Sequence, residues 1–275
     1  LHEHWETLES FTLALGRLDR RLAAARLSRQ LNANPVTLCD DAQIADLRQT
    51  RHPLLVLNSQ QSATPKTVVA NDIRLGLEGV RTLVITGPNT GGKTVMLKTM
   101  GLFATMLRAG LHLPVAEGSR MSYFNPVLAD IGDQQSLAQS LSTFSAHIER
   151  LRSFMDDSTD LSRGLVLVDE IAAGTDPTEG AALARAVLDE LYEKGAITMV
   201  TTHLGELKLD AHQHPGFMNA SVEFDTETLS PTYRLMLGVP GTSNALTIAQ
   251  KLGIKDSVIR RAKASLSAPA RESAE

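Results

Sequence analysis

The stretch GPNTGGKT, residues 87 to 94, decides how the rest of the chain is interpreted. It matches the pattern GxxxxGK[ST]. It also has the surroundings that this pattern requires, because a strand-like run (81–87) leads into it and a helical pattern begins at Lys93. Glycines allow successive backbone N–H groups to curl around phosphate oxygens, and the following helix adds the positive end of its dipole. The stretch therefore predicts a P-loop that binds a nucleotide.

The residues of this loop have different predicted roles. Lys93 is expected to reach the β- and γ-phosphates, and Thr94 is expected to hold Mg²⁺. The predicted ligand is therefore a nucleotide with its magnesium ion. The loop residues predicted to contact it are Gly87, Pro88, Asn89, Thr90, Gly91, Gly92, Lys93, Thr94 and Val95.

Two acids follow a second apolar strand, LVLVDE at residues 165–170. Asp169 stands at the carboxyl end of that strand, where it can orient Mg²⁺ through water. Glu170 comes next and can polarise a water molecule for attack on the γ-phosphate. His203 ends a third strand and is predicted to sense the γ-phosphate. The alternatives are an acid pair that caps the next helix and a purely structural histidine.

The class of P-loop protein follows from what accompanies the loop. A GTPase would need an NKxD motif, and no asparagine of this chain is followed by lysine. A small-molecule kinase would not need an acid pair followed by AAGTDPTEG. An ATPase of the ABC superfamily remains, and ATP is then the predicted nucleotide.

The stretch SLSTFSAH, residues 140–147, lies where ABC transporters carry the glycine-rich signature LSGGQ. In that superfamily two heads enclose two ATP molecules, and each signature closes over the nucleotide of the other head. Small hydroxyls before a helix N-terminus can bind phosphate in the same way. Ser142 is the predicted γ-phosphate ligand in trans, supported by Thr143 and Ser145. The alternative is an ordinary helix N-cap.

Apolar strands alternate with helical patterns, which predicts an α/β fold with a mostly parallel sheet flanked by helices and an antiparallel subdomain. An antiparallel hairpin is expected at 221–237, and two short helices broken at Gly253 are expected over 247–266. The predicted strands are 54–57, 67–69, 81–87, 164–170 and 196–203, and the predicted helices between them are 93–109 and 179–192.

The chain begins with a helical pattern whose apolar residues recur at alternating spacings of three and four. This helix either packs on the core of its own domain or is the returning arm of a helical lever. The residues of this seam are Leu8, Phe11, Leu15, Leu18 and Leu22. The predicted organisation is a helical lever or core segment with a polar linker (1–50, the linker at 32–53), an ABC-type ATPase domain (51–246), C-terminal helices (247–267) and a disordered tail (268–275).

Composition narrows the cellular setting. A single cysteine, Cys39, excludes an internal disulfide and predicts a cytoplasmic protein. No run of about 18 apolar residues occurs, so no membrane contact is predicted. The formal net charge of −4 shows no basic footprint, so nucleic acid is expected to be bound by other segments. The start at Leu1, within a periodic pattern, is expected of a fragment of a longer protein.

Longer motifs identify a family. TGPNTGGKT, ADIGDQQSLAQSLSTFSAHI, LVLVDEIAAGTDPTEGAALA, TTHLGELK and GVPGTSNALTIAQKLGI resemble the ATPase domain of the MutS family, in its bacterial MutS-two branch. The resemblance implies a homodimer through the ATPase heads, with the C-terminal helices (247–267) serving dimerisation, and ATP hydrolysis that drives a DNA-binding clamp. It implies action on branched DNA to restrain recombination, or on stalled ribosomes. It also places the clamp before Leu1 and an Smr nuclease domain after Glu275. The alternatives are a binding switch with little hydrolysis and an SMC-type head.

The resemblance also implies roles for single residues. Asn89 would contact the γ-phosphate, Gln135 would be linked to the metal and its water, and Thr175 and Asp176 would face the partner head. The adenine pocket would lie between Val68 and Asn71. Two residues depart from the pattern of the branch: Gln134 replaces a usual Glu, and Leu204 replaces a usual Tyr.

Overall fold

The computed structural model describes residues 4–40, 43–65, 67–88, 91–132, 140–241 and 245–267, without the side chains of residues 140–143. Among these residues, no helix combines the length and the apolar character needed to cross a membrane. The helices are α1 (Trp5–Leu31), α2 (Pro53–Gln61), α3 (Lys93–Arg108), α4 (Ser140–Phe154), α5 (Pro177–Glu193), α6 (Glu206–Gln213), α7 (Ala245–Lys251) and α8 (Asp256–Ser267). The strands are β1 (Thr37–Cys39), β2 (Ala45–Thr50), β3 (Asn71–Leu75), β4 (Thr82–Thr86), β5 (Arg120–Ser122), β6 (Val127–Asp130), β7 (Leu165–Val168), β8 (Ile197–Thr202), β9 (Phe217–Asp225) and β10 (Ser230–Leu237).

A six-stranded sheet in the order β10-β9-β4-β8-β7-β6 forms the centre of the fold. Its strands are parallel except for β10, which pairs antiparallel with β9. Every residue of β4, β7 and β8 is buried, as expected of strands covered on both faces. The predicted α/β fold with a mostly parallel sheet is confirmed. In this arrangement the carboxyl ends of β4, β7 and β8 lie along one edge.

The two faces of the sheet carry separate hydrophobic cores, because successive strand residues point to opposite sides. Leu83 and Ile85 of β4 pack with α3 and the second sheet, whereas Val84 packs on the other side with α4, α5 and α6. Phe103 lies at the centre of the first core, and Leu188 lies in the second. The apolar helix faces therefore sandwich the sheet and hold its carboxyl edge in place.

A second sheet has the order β1-β5-β2-β3, in which β2 is antiparallel to both β3 and β5. The interpretation of residues 32–53 as a polar linker is wrong, because β1 and β2 belong to this sheet. Ala45 and Leu47 of β2 are fully buried, and they alternate with polar residues as expected of a strand. The predicted boundary at residue 50 lies at the end of β2, so it separates two paired strands. The predicted hairpin is confirmed as β9–β10, but it extends the main sheet.

Two short predicted strands are also wrong. Residues 54–57 lie in α2, which begins with Pro53 at its first helical position. Proline fits there because its fixed φ suits a helix and the missing N–H has no partner in the first turn. Leu54 and Leu55 are exposed, so this apolar run is not the core strand that it resembles. Residues 67–69 form no strand either, and β3 begins at Asn71.

Helix α1 keeps its apolar seam in solvent. The five seam residues have between 46% and 61% of their surface exposed, so packing of the seam on the core of this domain is wrong. Within the described part of the chain, side-chain hydrogen bonds anchor the C-terminal end of α1: Ser28 Oγ lies 2.9 Å from His112 Nδ1, and Gln60 Nε2 donates to the carbonyl of Gln30. At the other end of the chain, the helix break at Gly253 is confirmed between α7 and α8.

Candidate functional site

The phosphate loop leaves β4 at the carboxyl edge and turns directly into α3. Gly87 and Gly92 have φ values of 128° and 91°, which favour glycine. A Cβ added to Gly87 would lie 2.6 Å from Val222 Cγ2, and one added to Gly91 would lie 2.4 Å from the same atom. The loop is therefore pressed against β9, and its glycines are required by close approach as well as by backbone conformation.

Lys93 is the first residue of α3 and is almost completely buried, with 2% of its surface exposed. Its Nζ donates a hydrogen bond of 2.5 Å to the carbonyl of Gly87, across the loop. Burial lowers the pKa of Lys93, although the charges of Glu170 and Asp169 act in the opposite direction. A buried ammonium at a helix N-terminus is a site prepared for an anion.

Asp169, the first residue of the acid pair, forms hydrogen bonds with the start of α3 and with β8. Its Oδ2 accepts a hydrogen bond of 2.7 Å from Thr94 Oγ1, and its Oδ1 accepts one of 2.5 Å from Thr201 Oγ1. The predicted metal ligands Thr94 and Asp169 are thus in contact, 75 positions apart in sequence. Thr201 was not predicted, although its place next to the end of β8 is a signal that could have suggested it.

Glu170 takes an unusual backbone conformation, with a φ of 50°. Its N–H donates a hydrogen bond of 2.8 Å to Thr201 Oγ1, and the N–H of Ile171 donates to the carbonyl of Thr201. Positive φ in a non-glycine residue is a strain that persists where the surroundings enforce it, often at functional sites. Thr201 therefore holds both acids, and the turn after Asp169 aims Glu170 away from the strand direction.

Two other predicted residues lie near this edge. His203 directly follows β8 and is exposed, beside the strand that carries the phosphate loop. Asp176 is the N-cap of α5, where its Oδ1 accepts from the N–H groups of Thr178 and Glu179. Thr175, one residue earlier, is also in this loop. The roles of His203 as a sensor and of Asp176 as a contact of the partner stay predictions. Leu204 is buried in the second core.

The region predicted to hold the adenine contains a residue that ties the two sheets together. The side chain of Asn71 donates to the carbonyl of Tyr233 at 2.9 Å and accepts from the N–H of Leu235 at 2.6 Å. Both ends of this amide are thus occupied by β10, and Val68 lies half-buried nearby in sequence. The Tyr233 ring, 50% exposed, comes within 3.3 Å of a Cβ added to Gly92. Tyr233 was missed, because nothing local connects it to the loop.

A second lysine and a glycine complete the surroundings of the loop. Lys208 in α6 donates through Nζ to the carbonyl of Gly241 at 2.8 Å, and its charge contributes to the lowered pKa of Lys93, after burial. The N–H of Gly241 donates to Thr86 Oγ1 at 2.9 Å. A Cβ on Gly241 would lie 2.7 Å from that hydroxyl. The segment after β10 is thus anchored beside the phosphate loop.

Helix α4, which carries the predicted signature, is joined to the end of β6 by a buried carboxylate. Asp130 is completely buried and accepts from Arg150 Nη1 at 2.5 Å and from His147 Nδ1 at short range. Burial alone would raise the pKa of Asp130, but the hydrogen bonds and charges of His147 and Arg150 hold it below its ordinary value. The carbonyl of Asp130 accepts from the N–H of Asp169. None of these roles was predicted.

Several predicted residues lie outside the described part of the chain. They are Asn89, Thr90, Gln134, Gln135 and the tail 268–275, together with the side chains of Ser142 and Thr143. Their backbone places Ser142 and Thr143 in the first turn of α4, and Ser145 follows in the same helix. The assignments of these residues stay predictions.

The described residues suit a magnesium-bound nucleotide. Mg²⁺ is usually bound through one or two carboxylates together with phosphate oxygens, and Asp169 with Thr94 supplies a carboxylate beside a hydroxyl. A Cβ on Gly87 or Gly91 would collide with Val222, so the loop backbone needs glycine at both positions. Glycine-rich loops of this kind cradle phosphates with their backbone N–H groups. Lys93 supplies the buried positive charge. Thr94, Asp169 and Lys93 therefore suit both Mg²⁺ and the phosphates of a nucleotide.

Comparison with known proteins gives a consistent result. The family model described as MutS domain V matches residues 83–268. The proteins named Endonuclease MutS2 from Shouchella clausii, Alkaliphilus oremlandii and Geobacillus kaustophilus are 50%, 49% and 51% identical to the chain. These alignments cover 90%, 95% and 93% of this chain, but 30%, 32% and 31% of the relatives. The chain thus spans about a third of the length of the curated relatives it matches.

Proposed function

This chain belongs to the MutS family, in its MutS2 branch, and from that membership we propose that it is an ATP-hydrolysing head. The observation that carries the proposal is the hydrogen bond between Thr94 and Asp169, which joins the phosphate loop to the acid pair. The loop with Thr94 and Asp169 is enough to bind a magnesium-bound nucleotide, whereas hydrolysis also needs a base for the attacking water. The contact with Asp169 brings Glu170, a base suited to activating water, to the same edge.

Each residue has a step in the proposed reaction. When bound, Mg²⁺ would supply positive charge that neutralises the phosphate oxygens. Lys93 would bind the β- and γ-phosphates, Thr94 and Asp169 would hold the metal, and Glu170 would orient the attacking water and accept its proton. Thr201 keeps both acids in position. His203, exposed at the end of β8, is proposed to donate to the γ-phosphate.

We propose further that two heads form the active unit. The first turn of α4 carries Ser142 and Thr143, and a helix N-terminus with hydroxyls favours phosphate. In a head-to-head dimer this turn would close over the nucleotide of the partner. The loop with Asp176 and the helices α7 and α8 would take part in the same interface.

The activity of the longer protein is proposed on the family relationship. ATP-driven closure of the heads would move a DNA-binding clamp, and its substrates would be recombination intermediates or stalled ribosomes. The nuclease activity in the name of the relatives is proposed to belong to regions of those proteins outside the aligned third. A cytoplasmic location stays a prediction from the single cysteine, Cys39.

The catalytic assignment is tested with Glu170→Gln. This substitution keeps the size and polarity of the side chain but removes the base. We expect steady-state ATP turnover to fall by about 100-fold or more, while ATP binding measured by calorimetry changes little. Asp189→Asn, at a half-buried position of α5, is the matched control and should hydrolyse ATP normally. Unchanged turnover in the Glu170 variant would leave a nucleotide-dependent binding switch as the better proposal.

The dimer is tested by the dependence of ATP turnover on protein concentration. A shared site predicts that turnover per chain rises with concentration and then reaches a plateau at which sizing shows a dimer. A constant rate from a species that sizing identifies as a monomer would contradict the shared site.

A further inference from the structure

The cluster of Asp130, His147 and Arg150 has no role in the proposed chemistry, yet it contains the most completely buried charge near the site. The Asp130 side chain is 0% exposed, and each carboxylate oxygen accepts from one basic side chain of α4. Burying a carboxylate is costly unless hydrogen bonds and opposite charges satisfy it. A cluster of this kind holds its members in one arrangement.

The cluster links two elements with different tasks. On one side, Asp130 ends β6, and its carbonyl accepts from the N–H of Asp169 at 2.9 Å. On the other side, His147 and Arg150 lie in the second and third turns of α4, whose first turn begins at Ser140. Three residues thus connect the metal-holding strand end to the helix that carries the signature.

Other parts of α4 are held by apolar packing. Leu151 and Phe154, in the C-terminal half, are buried in the second hydrophobic core. Toward the N-terminus, Phe144 Cβ lies 3.7 Å from a Cβ added to Gly174, in the loop after the acid pair. Apolar packing is not directional, whereas a paired carboxylate fixes distance and orientation.

We propose that Asp130, with His147 and Arg150, is a positioning cluster that sets the start of α4 relative to the acid pair, so that it governs ATP turnover at the partner's site. The inference rests on the proposed shared-site dimer. If the first turn of α4 serves the partner, a displaced α4 harms the nucleotide site of the other chain more than its own. A merely structural role predicts the opposite, because Asp130 touches Asp169 of its own chain.

The first experiment compares two buried aspartates that are each paired with arginine. Asp130→Asn is compared with Asp46→Asn, because Asp46 is also buried and accepts from Arg120 at 3.1 Å, but in the second sheet. We expect Asp130→Asn to lower turnover at saturating ATP by about tenfold, with KM for ATP changed by less than about twofold. Asp46→Asn should turn over ATP at the unmutated rate. Equal rates for both variants and the unmutated chain would overturn the proposal.

The second experiment separates action on the partner from action on the same chain. Unmutated chain is mixed with an excess of chain carrying Glu170→Gln, or with an excess of chain carrying both Glu170→Gln and Asp130→Asn. In either mixture only the unmutated chain can hydrolyse ATP. We expect turnover per unmutated chain to be about tenfold lower with the double variant. The reason is that the displaced α4 of the double variant now closes over the active site of the unmutated chain. Equal turnover in the two mixtures would overturn the proposal.

The reciprocal mixture is the rescue. Chain carrying only Asp130→Asn is mixed with an excess of the Glu170→Gln chain, whose α4 is intact. Its turnover should rise to that of the unmutated chain in the same mixture. Failure of this rescue would mean that Asp130 acts on its own site. If Asp130→Asn does not fold, Arg150→Gln replaces it in all mixtures, because the Arg150 side chain is 55% exposed and its loss spares the core. No turnover by the unmutated chain would instead contradict the proposed function, and the positioning role with it.

Discussion

Two buried ionisable side chains, Lys93 and Asp130, lie at the same edge of the sheet, but the fold disfavours the charged form of one and favours that of the other. At the start of α3, burial lowers the pKa of Lys93 against the attraction of two acids, so its charged form is disfavoured in the fold. At the end of β6, burial of Asp130 is outweighed by His147 and Arg150, so its pKa is lowered and its charged form is favoured.

The difference separates a ligand site from a scaffold. A cation whose burial is not fully compensated gains from an anion that arrives later, and here that anion would be phosphate. A carboxylate satisfied within the chain gains nothing from a ligand, but it holds the elements that satisfy it. The phosphate loop is thus built at a cost in stability, whereas the contact between β6 and α4 contributes to stability.

The largest expected effect tests the ligand side of this comparison. Lys93→Met removes the buried charge but keeps a long apolar side chain. ATP binding, measured by calorimetry, should weaken by about 100-fold or more. Without nucleotide, the melting temperature should rise by about 2–4 °C, because the substitution removes the cost of burying the Lys93 ammonium, which Glu170 and Asp169 offset only in part. Lys98→Met, on the exposed face of α3, is the control and should bind ATP normally. A lower melting temperature for Lys93→Met would show that burial of Lys93 does not cost stability, which would contradict the contrast with Asp130.

The scaffold side predicts the opposite sign. Asp130→Asn leaves two basic side chains without their charged partner, and the free energy of unfolding without nucleotide should fall by about 2 kcal/mol. Urea denaturation of this variant and of Lys93→Met in the same buffer measures the contrast directly. If both variants shift stability in the same direction, the two charges are not treated differently.

A smaller effect concerns the shape of the loop. Gly91→Ala places a Cβ 2.4 Å from Val222 Cγ2, so either the loop or β9 must shift. We expect ATP affinity to fall by about tenfold, because the backbone N–H groups lose their common direction. Val222→Ala added to this variant should restore part of the affinity. Gly16→Ala, at a glycine of α1 with no atom within 4 Å of the added Cβ, is the control for a glycine replacement away from the nucleotide. No restoration by Val222→Ala would show that the contact with β9 is not what requires glycine.

The smallest effect comes from a third buried ionisable group, His52, which is the N-cap residue of α2. Burial, aided by the charge of Lys98, lowers the pKa of His52 below its ordinary value of 6.5. Below pH 6.5 the unfolded state therefore binds more protons than the folded state, and stability falls as pH decreases toward the folded pKa. His52→Asn should make this fall shallower below pH 6.5. The difference between the two urea midpoints across pH isolates His52 from the other histidines, and a constant difference would contradict the assignment.

The sequence was sufficient where the signal is local. Residues 87–94 predicted the phosphate loop because glycines, a lysine and a helix start are adjacent in the chain. The apolar runs of β4, β7 and β8 predicted a parallel sheet, and Asp169 was placed at a strand end that proved to contact Thr94. The same reasoning failed for 54–57, where four apolar residues fit a helix turn as well as a strand, and for β1 and β2, whose partners are distant.

The tertiary structure alone decided which side chains meet across long separations. Asn71 contacts Tyr233, which lies 162 positions later, and Lys208 contacts Gly241 through a backbone carbonyl. No periodicity encodes such pairs, because side-chain spacing reports only which face of one element is apolar. What each residue type can do was determined by the sequence: bind phosphate, hold a metal, polarise water. Whether the fold disfavours a buried charge, as at Lys93, or favours it, as at Asp130, depends on the groups that folding brings around it, and only the packed structure sets those.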